Sequence, residues 1–84
     1  MRVVYHKNFE KKFRKLPAKV KERFYGRLAL FYKNKHAKTL NNHSVDTAYP
    51  GVRSINITGD YRALFYDVGE TVTFLTIGTH TELY

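Results

Sequence analysis

Two histidines, an aspartate and a tyrosine in the second half of the chain are the residues best suited to chemistry. They are His43 in "NNHSV", Asp60 in "GDYR", and His80 and Tyr84 in the closing "GTHTELY". An unperturbed imidazole exchanges protons near neutral pH, and a positioned proton transfer typically accelerates a reaction ~10²–10⁴-fold. The four side chains are therefore candidates for a general acid–base site, provided that the fold brings them together.

Each of these residues also has a purely structural interpretation. A histidine at the end of a strand is usually a surface or capping residue, and Tyr84 could anchor the last strand in the core. Asp60 follows Gly59 at a turn, where aspartate is common because its side chain bonds the local backbone. Two further histidines, His6 and His36, carry no pattern and are interpreted as incidental.

The charge of the chain is concentrated in its first half. Residues 1–40 hold 13 Lys and Arg against two Glu, whereas residues 41–84 hold two Arg against five Asp and Glu. A basic half of this kind indicates a polyanionic partner, with nucleic acid as the first candidate, or a solvated pair of charged helices. Charge alone does not choose between them.

Length and composition limit the remaining classes. The 84 residues form a single domain, because a second core would not fit. The chain has no cysteine, no His-x₃-His spacing and no Asp-x-Asp cluster, so we expect neither a metal nor another cofactor. There is no apolar run of ~18 residues and the amino terminus is charged, which predicts a cytoplasmic protein without a signal peptide or membrane span.

The hydrophobic periodicity predicts one strand and two helices in the first half. Val3 to Tyr5 is typical of a short strand. Asn8 is the expected N-cap of a helix that ends at Pro17. One apolar stripe is expected on each helix: Phe9, Phe13 and Leu16 on the first, and Val20, Phe24, Leu28 and Phe31 on the second. Gly26, within the second helix, is interpreted as a site of close packing.

The second half is predicted to be a loop followed by three strands. Residues 33–50 are polar and read as a loop, with at most one helical turn. Short Gly-containing turns then separate the apolar runs 51–57, 60–66 and 71–77, which favours an antiparallel meander. The expected fold is a two-layer α+β domain of order β-α-α-β-β-β, with the helical hairpin packed on one face of a small, mainly antiparallel twisted sheet.

Alternation along residues 52–57 predicts which side chains line the other face of the sheet. Ile55 and Ile57 should face the helices together with Arg53, which turns Ser54 and Asn56 outward. The same alternation places Arg62 on the helix side. Ser54 and Asn56 would thus contribute to a polar sheet face, a candidate floor for a site.

The element order, the stretch "GDYRALFY" and the ending "GTHTELY" resemble the RelE/ParE toxin superfamily, and within it the YafQ-like branch of type II toxin–antitoxin systems. The resemblance covers nearly the whole chain in size and element order, and Gly-Thr-His is its sharpest motif. It implies a ribosome-dependent messenger-RNA endonuclease without a metal cofactor, silenced by a cognate antitoxin. Messenger RNA, ribosomal RNA and an antitoxin that forms a hetero-oligomer with the toxin are the implied partners.

Residue by residue, the resemblance covers part of the family pattern. His43 matches the family's loop histidine, Asp60 its aspartate at the start of the third strand, His80 the histidine of Gly-Thr-His, and Tyr84 the terminal aromatic residue. Three positions depart from the pattern: Asn56 stands in place of a histidine, Thr76 in place of an arginine, and Ser54 in place of an acidic residue. They are retained as substrate-binding candidates, together with Lys33, Lys35 and Lys38.

The activity implied by the resemblance would leave a 2′,3′-cyclic phosphate. His80 is the expected general acid and His43 the expected general base, with Asp60 orienting a histidine or the 2′-OH and Tyr84 stacking on a base. Thr76 cannot stabilise phosphorane charge as an arginine does, so that role is unassigned.

Two other functions remain open on the same fold. One is a ParE-like poison of DNA gyrase without nuclease activity, although that branch has no need of paired histidines. The other is a catalytically decayed toxin that only binds its antitoxin and represses their operon, which the departures at Asn56 and Thr76 favour.

Overall fold

The computed structural model describes all residues from Met1 to Tyr84, and it contains the predicted β-α-α-β-β-β elements in order, with an additional short strand before the meander and a short helix after it. In chain order the elements are β1 (Arg2–Tyr5), α1 (Lys7–Arg14), α2 (Ala18–Lys33), a 3₁₀ turn (Lys38–Leu40), β2 (His43–Ser44), β3 (Arg53–Asn56), β4 (Tyr61–Val68), β5 (Thr71–Thr79) and α3 (His80–Leu83). No helix combines the length and apolar character that crossing a membrane requires.

The five strands form one mixed sheet in the order β1-β5-β4-β3-β2. β1 pairs with β5 in parallel, and the other neighbours are antiparallel, which confirms the meander of β3, β4 and β5. α1 and α2 cover one face, which confirms the two-layer α+β prediction. We call the opposite face the outer face.

The main core lies between the helices and the sheet and is built around Phe74 of β5. Phe74 is fully buried, and five aromatic rings surround it at centroid distances of 5.3–6.2 Å: Tyr5, Phe9, Phe24, Phe31 and Phe65. Aromatic pairs at such distances add ~0.5–1.5 kcal/mol beyond the area that they bury. The predicted apolar stripes of both helices belong to this core, as do Ile55 and Ile57.

The start of α1 differs from the prediction. Its N-cap is His6, whose imidazole Nδ1 accepts a hydrogen bond from the backbone N–H of Asn8 at 3.1 Å. Asn8 therefore lies inside the first turn, and His6 is not an incidental residue. The imidazole satisfies one of the N–H groups that a helix leaves unpaired at its start.

Gly26 also differs from the prediction, because it does not mark close packing. A Cβ atom at Gly26 would meet no other heavy atom within 4 Å. The residue lies on the exposed side of α2 and carries the ordinary helix-propensity cost of glycine.

The outer face is partly covered, contrary to the prediction of an open polar floor. Val45 and Leu83 pack over Val52 and Leu64, and together they form a second small core. Ser54 is fully buried, and its Oγ has no hydrogen-bond partner. Ser54 is therefore not available to a substrate in this structure.

The segment between α2 and β3 contains more structure than the predicted loop. Besides the expected helical turn, it includes β2, whose His43 pairs with Ser54. Lys35 forms a 2.9 Å salt bridge with Asp67, and the Asn42 amide donates to the Lys35 carbonyl while accepting from Arg53 Nε. These contacts tie the segment to the sheet just before His43.

Two glycine substitutions should have opposite effects on stability. Gly26→Ala should raise the free energy of unfolding by about 0.5–1 kcal/mol, because the new methyl group is unobstructed and alanine favours the helix. Gly51→Ala should lower it by more than that, because Gly51 has φ +78°. Urea denaturation of both variants checks this; a destabilising Gly26→Ala would show that the exposed side of α2 is packed in solution.

Candidate active site on the outer sheet face

His80 lies where β5 ends and α3 begins, not at the end of an extended strand. Thr79 is the N-cap of α3: its side chain accepts from the N–H of Glu82 at 3.2 Å, and the Glu82 carboxylate accepts from the Thr79 N–H at 2.8 Å. This reciprocal capping box turns the chain immediately before His80. His80 is exposed at the start of the turn.

Further contacts attach α3 to the outer face. The Leu83 side chain is buried in the second core, and the Tyr49 hydroxyl donates a 2.6 Å hydrogen bond to the Leu83 carbonyl. A Cβ atom at Gly78 would lie 3.2 Å from the Glu82 carboxylate and 3.5 Å from Leu83, so glycine permits the close approach of α3. Tyr49, which the sequence interpretation missed, therefore helps to position His80.

Three of the four predicted catalytic residues come together at this end of the sheet. The His80 N–H donates to the Asp60 carbonyl at 2.9 Å, which places the β3–β4 turn beside α3. The rings of His80 and Tyr84 lie 4.7 Å apart with an interplanar angle of 46°. Asp60 and Tyr84 are exposed, like His80. The imidazole and the phenol ring are thus accessible side by side, and the backbone of Asp60 adjoins them.

His43 lies on the outer face but away from this group. It shares the face of Ser54, its partner across the β2–β3 pair. Three strand spacings, about 14 Å, separate β2 from β5. Because the Asn41 carbonyl can only accept, the 2.7 Å contact requires a proton on His43 Nδ1, which leaves Nε2 of the neutral ring as an acceptor.

The structure corrects the expected position of Arg62. Arg62 pairs with Asn56 and with Gly78, and its neighbour Ala63 belongs to the helix-side core. It therefore lies on the outer face, at the same end as His80. Its Nη1 donates to the carbonyls of Thr58, Gly59 and Tyr61, which holds the β3–β4 turn in place.

The predicted substrate-binding residues are separated by the fold. Lys35 is half-buried and forms the salt bridge with Asp67, whereas Lys33 and Lys38 are exposed. Asn56 is half-buried, with its Oδ1 enclosed and without a partner. Thr76 is half-buried and lines a pocket on the outer face. No group of three or more His, Cys, Asp or Glu side chains is arranged to hold a metal ion.

The sequence matches no family model and no curated protein, but the structure matches solved structures over nearly its whole length. YafQ from Escherichia coli strain BL21(DE3) superposes with a TM-score of 0.79 at 16% identity, covering 100% of this chain and 99% of YafQ. The YoeB/ParE toxin from Agrobacterium tumefaciens superposes with a TM-score of 0.78 at 14% identity, covering 95% of this chain and 99% of the toxin. A chain of the RelB–RelE antitoxin–toxin complex from Methanococcus jannaschii superposes with a TM-score of 0.75 at 17% identity, covering 96% of this chain and 94% of that one.

The chain has the RelE/YafQ toxin fold. The agreement extends over both layers, because at least 95% of the chain is covered in each comparison. At these identities the comparisons establish the fold, and the chemistry has to be argued from the residues of this chain.

The capping box should loosen in acid. The pKa of Glu82 is lowered below its ordinary value of 4.5, chiefly by the hydrogen bond from the Thr79 N–H. The hydrogen bond with the Thr79 side chain and the charge of Lys12 lower it further. A lowered folded-state pKa means that the contribution of Glu82 is present above about pH 4.5 and is lost as the pH falls through the folded value.

The Thr79 amide proton shift should therefore titrate with a midpoint below 4.5 in an NMR pH series. Glu82→Gln should abolish this titration, because its amide does not ionise in that range. A midpoint at or above 4.5 in the unaltered protein would contradict the capping geometry.

Proposed function

We propose that this protein is the toxin of a type II toxin–antitoxin pair and that it cleaves messenger RNA on the ribosome without a metal ion. The observation that supports this most is the meeting of His80, Asp60 and Tyr84 at one end of the outer face. This group lies on a fold that at least 95% of the chain shares with YafQ and with the YoeB/ParE toxin. A binding module has no evident need for an exposed imidazole positioned by a capping box and a buried leucine.

The proposed reaction is an internal transfer of the phosphate. The ribose 2′-oxygen attacks the adjacent phosphorus as a base removes its proton, and the P–O5′ bond breaks as an acid protonates the leaving oxygen. The products are a 2′,3′-cyclic phosphate and a 5′-hydroxyl. Histidines suit both proton transfers, and each typically contributes ~10²–10⁴-fold.

His80 is the proposed acid and His43 the proposed base. The hydrogen bond of His43 Nδ1 to the Asn41 carbonyl leaves Nε2 ready to accept a proton, as a base requires. The strands β2 and β5 lie about 14 Å apart, and His43 is in register with Thr76, four residues before His80. Both imidazoles can therefore serve one phosphate only when RNA binding draws them towards it, with the scissile phosphate between them over β3 and β4. The RNA would then run across the sheet.

Arg62 is the proposed stabiliser of the phosphorane charge, in place of the arginine that Thr76 replaces. It lies on the outer face over β4, where the phosphate is proposed to sit. Only its Nη1 is used by the β3–β4 turn, so Nε and Nη2 retain donors for a phosphate. Donors fixed in advance stabilise developing charge effectively.

Substrate binding is assigned to charge and stacking. The basic first half, with the exposed Lys33 and Lys38, would bind ribosomal and messenger RNA phosphates, and this binding should weaken with salt. Tyr84 would stack on a base, which is worth roughly 1–3 kcal/mol in single-strand binders. The protein would act in the cytoplasm, where the ribosomes are.

An antitoxin is the proposed protein partner. The Methanococcus jannaschii RelE was solved in a complex with its antitoxin RelB. A surface this basic is complementary to an acidic amphipathic helix that covers it and excludes RNA. The two chains would form a hetero-oligomer that holds the toxin inactive.

Expression without an antitoxin, followed by mapping of RNA ends, tests the proposal. The unaltered protein should arrest growth and produce new messenger-RNA 5′-hydroxyl ends. His80→Ala and His43→Ala should each reduce cleavage by about 10²-fold or more. Thr81→Ala, an exposed change in the same turn, should cleave normally.

Other outcomes would replace the proposal. Growth arrest with DNA damage and intact messages would indicate gyrase poisoning. A harmless, folded product would indicate a decayed toxin. Loss of cleavage in His80→Ala together with normal cleavage by His43→Ala would show that His43 is not the general base.

A further inference from the structure

A pocket of about 230 Å³ opens on the outer face, and the chemistry above does not use it. Its apolar lining comes from Val52, Leu64 and Leu75, and its rim is formed by His6, Asn8, Tyr49 and Thr76. The volume is below the ~300–1,000 Å³ of pockets for drug-sized ligands. One small ring system or one side chain therefore fills it.

The rim contains both hydrogen-bond donors and hydrogen-bond acceptors. Because His6 Nδ1 accepts from the Asn8 N–H, the proton of the neutral imidazole is on Nε2, which becomes a donor. The Tyr49 hydroxyl donates to Leu83, so its oxygen is left to accept. The Asn8 amide and the Thr76 hydroxyl can do both. The edge of a base can pair with these groups directly, whereas an aliphatic side chain offers them no partner other than water.

The surroundings of the pocket are cationic. The corner between β1 and α1 that provides His6 and Asn8 also carries Lys7 and Lys11, exposed and one helical turn apart. An apolar floor, a mixed polar rim and flanking lysines together match a flat heterocycle attached to phosphates.

We propose that this pocket receives one unstacked base of single-stranded RNA, with His6 and Asn8 contacting the edge of the base. Single-stranded RNA is commonly read in this way, by splayed bases held on their edges. Tyr49 lines the pocket and bonds the Leu83 carbonyl, so the bound base lies next to the turn that carries His80. The pocket then sets where the RNA is cut relative to its sequence, which rests on the proposed function.

An NMR titration of the full chain tests the pocket independently of cleavage. The probes are the four ribonucleoside 5′-monophosphates, with ribose 5-phosphate as the base-free control. At least one nucleotide should shift the amide signals of Asn8, Leu75 and Thr76, and ribose 5-phosphate should not.

Matched variants separate the contact from the fold. His6→Ser keeps a favoured N-cap residue but removes the imidazole, so α1 should persist while nucleotide affinity falls about three- to tenfold. Asn8→Ala, at an exposed helical position, should have a similar effect without loss of helix. His36→Ser, the same substitution at an exposed site outside the pocket, should leave the affinity unchanged.

Three results would overturn the inference: equal shifts from ribose 5-phosphate, unchanged affinity in both His6→Ser and Asn8→Ala, or shifts at these amides from N-acetyl-leucinamide but from no nucleotide. The last would make the pocket a protein-docking site. Nucleotide binding by a protein that cuts no message would uphold the pocket and overturn the proposed function. Cleavage of messenger RNA without nucleotide binding at the pocket would uphold the proposed function and overturn the pocket.

Discussion

The packing of Phe74 between the sheet and the helices is the contact on which the rest of the structure depends. Phe74 lies on β5, the strand that pairs with β1 on one side and β4 on the other, and aromatic rings from both strands and both helices surround it. A chain of 84 residues buries a limited area, so a few large rings provide much of its apolar burial. A one-residue slip of β5 would turn Phe74 to the outer face, so this packing favours the observed register of the strand.

The register of β5 in turn positions the outer face. Two residues beyond Phe74, Thr76 lines the pocket, and after Gly78 the chain turns into α3 with His80. The extra residue of β5 opposite the Leu64–Phe65 step adds Leu75 to the outer side. One strand thus connects the core, the pocket and the proposed catalytic group, so a shift in its packing would move all three together.

Sequence periodicity predicted the helix-side core well, because both helices are amphipathic and each carries its apolar residues on one face. It failed where both faces are apolar: the run Ala63-Leu64-Phe65 is buried on either side and hides the phase of alternation, so Arg62 was assigned to the wrong face. Ser54 was predicted to be exposed because alternation cannot show that Leu83 and Val45, distant in sequence, cover its face. His6 was missed because imidazole is an uncommon N-cap.

The sequence predicted four residues in one catalytic group, and the structure brings three of them together. Asp60, His80 and Tyr84 are brought together by local turns that sequence motifs describe well. His43 depends on the order of strands, which no local motif encodes: β2 lies three strand spacings, about 14 Å, from β5, and His43 is in register with Thr76 rather than with His80. The proposed reaction therefore requires RNA to bind across the outer face from β2 to α3, over the side chains of Val45 and Leu83 that cover part of it.

The central claim is that this protein cleaves RNA by transfer to the 2′-oxygen on the ribosome. The most direct test incubates one defined messenger RNA with the purified protein, with and without programmed ribosomes, in a magnesium buffer that keeps the ribosomes assembled, and analyses the fragment ends chemically. The account predicts ribosome-dependent fragments that end in a 2′,3′-cyclic phosphate and begin with a 5′-hydroxyl. Intact RNA in every sample, or fragments that end in a 3′-hydroxyl, would contradict it.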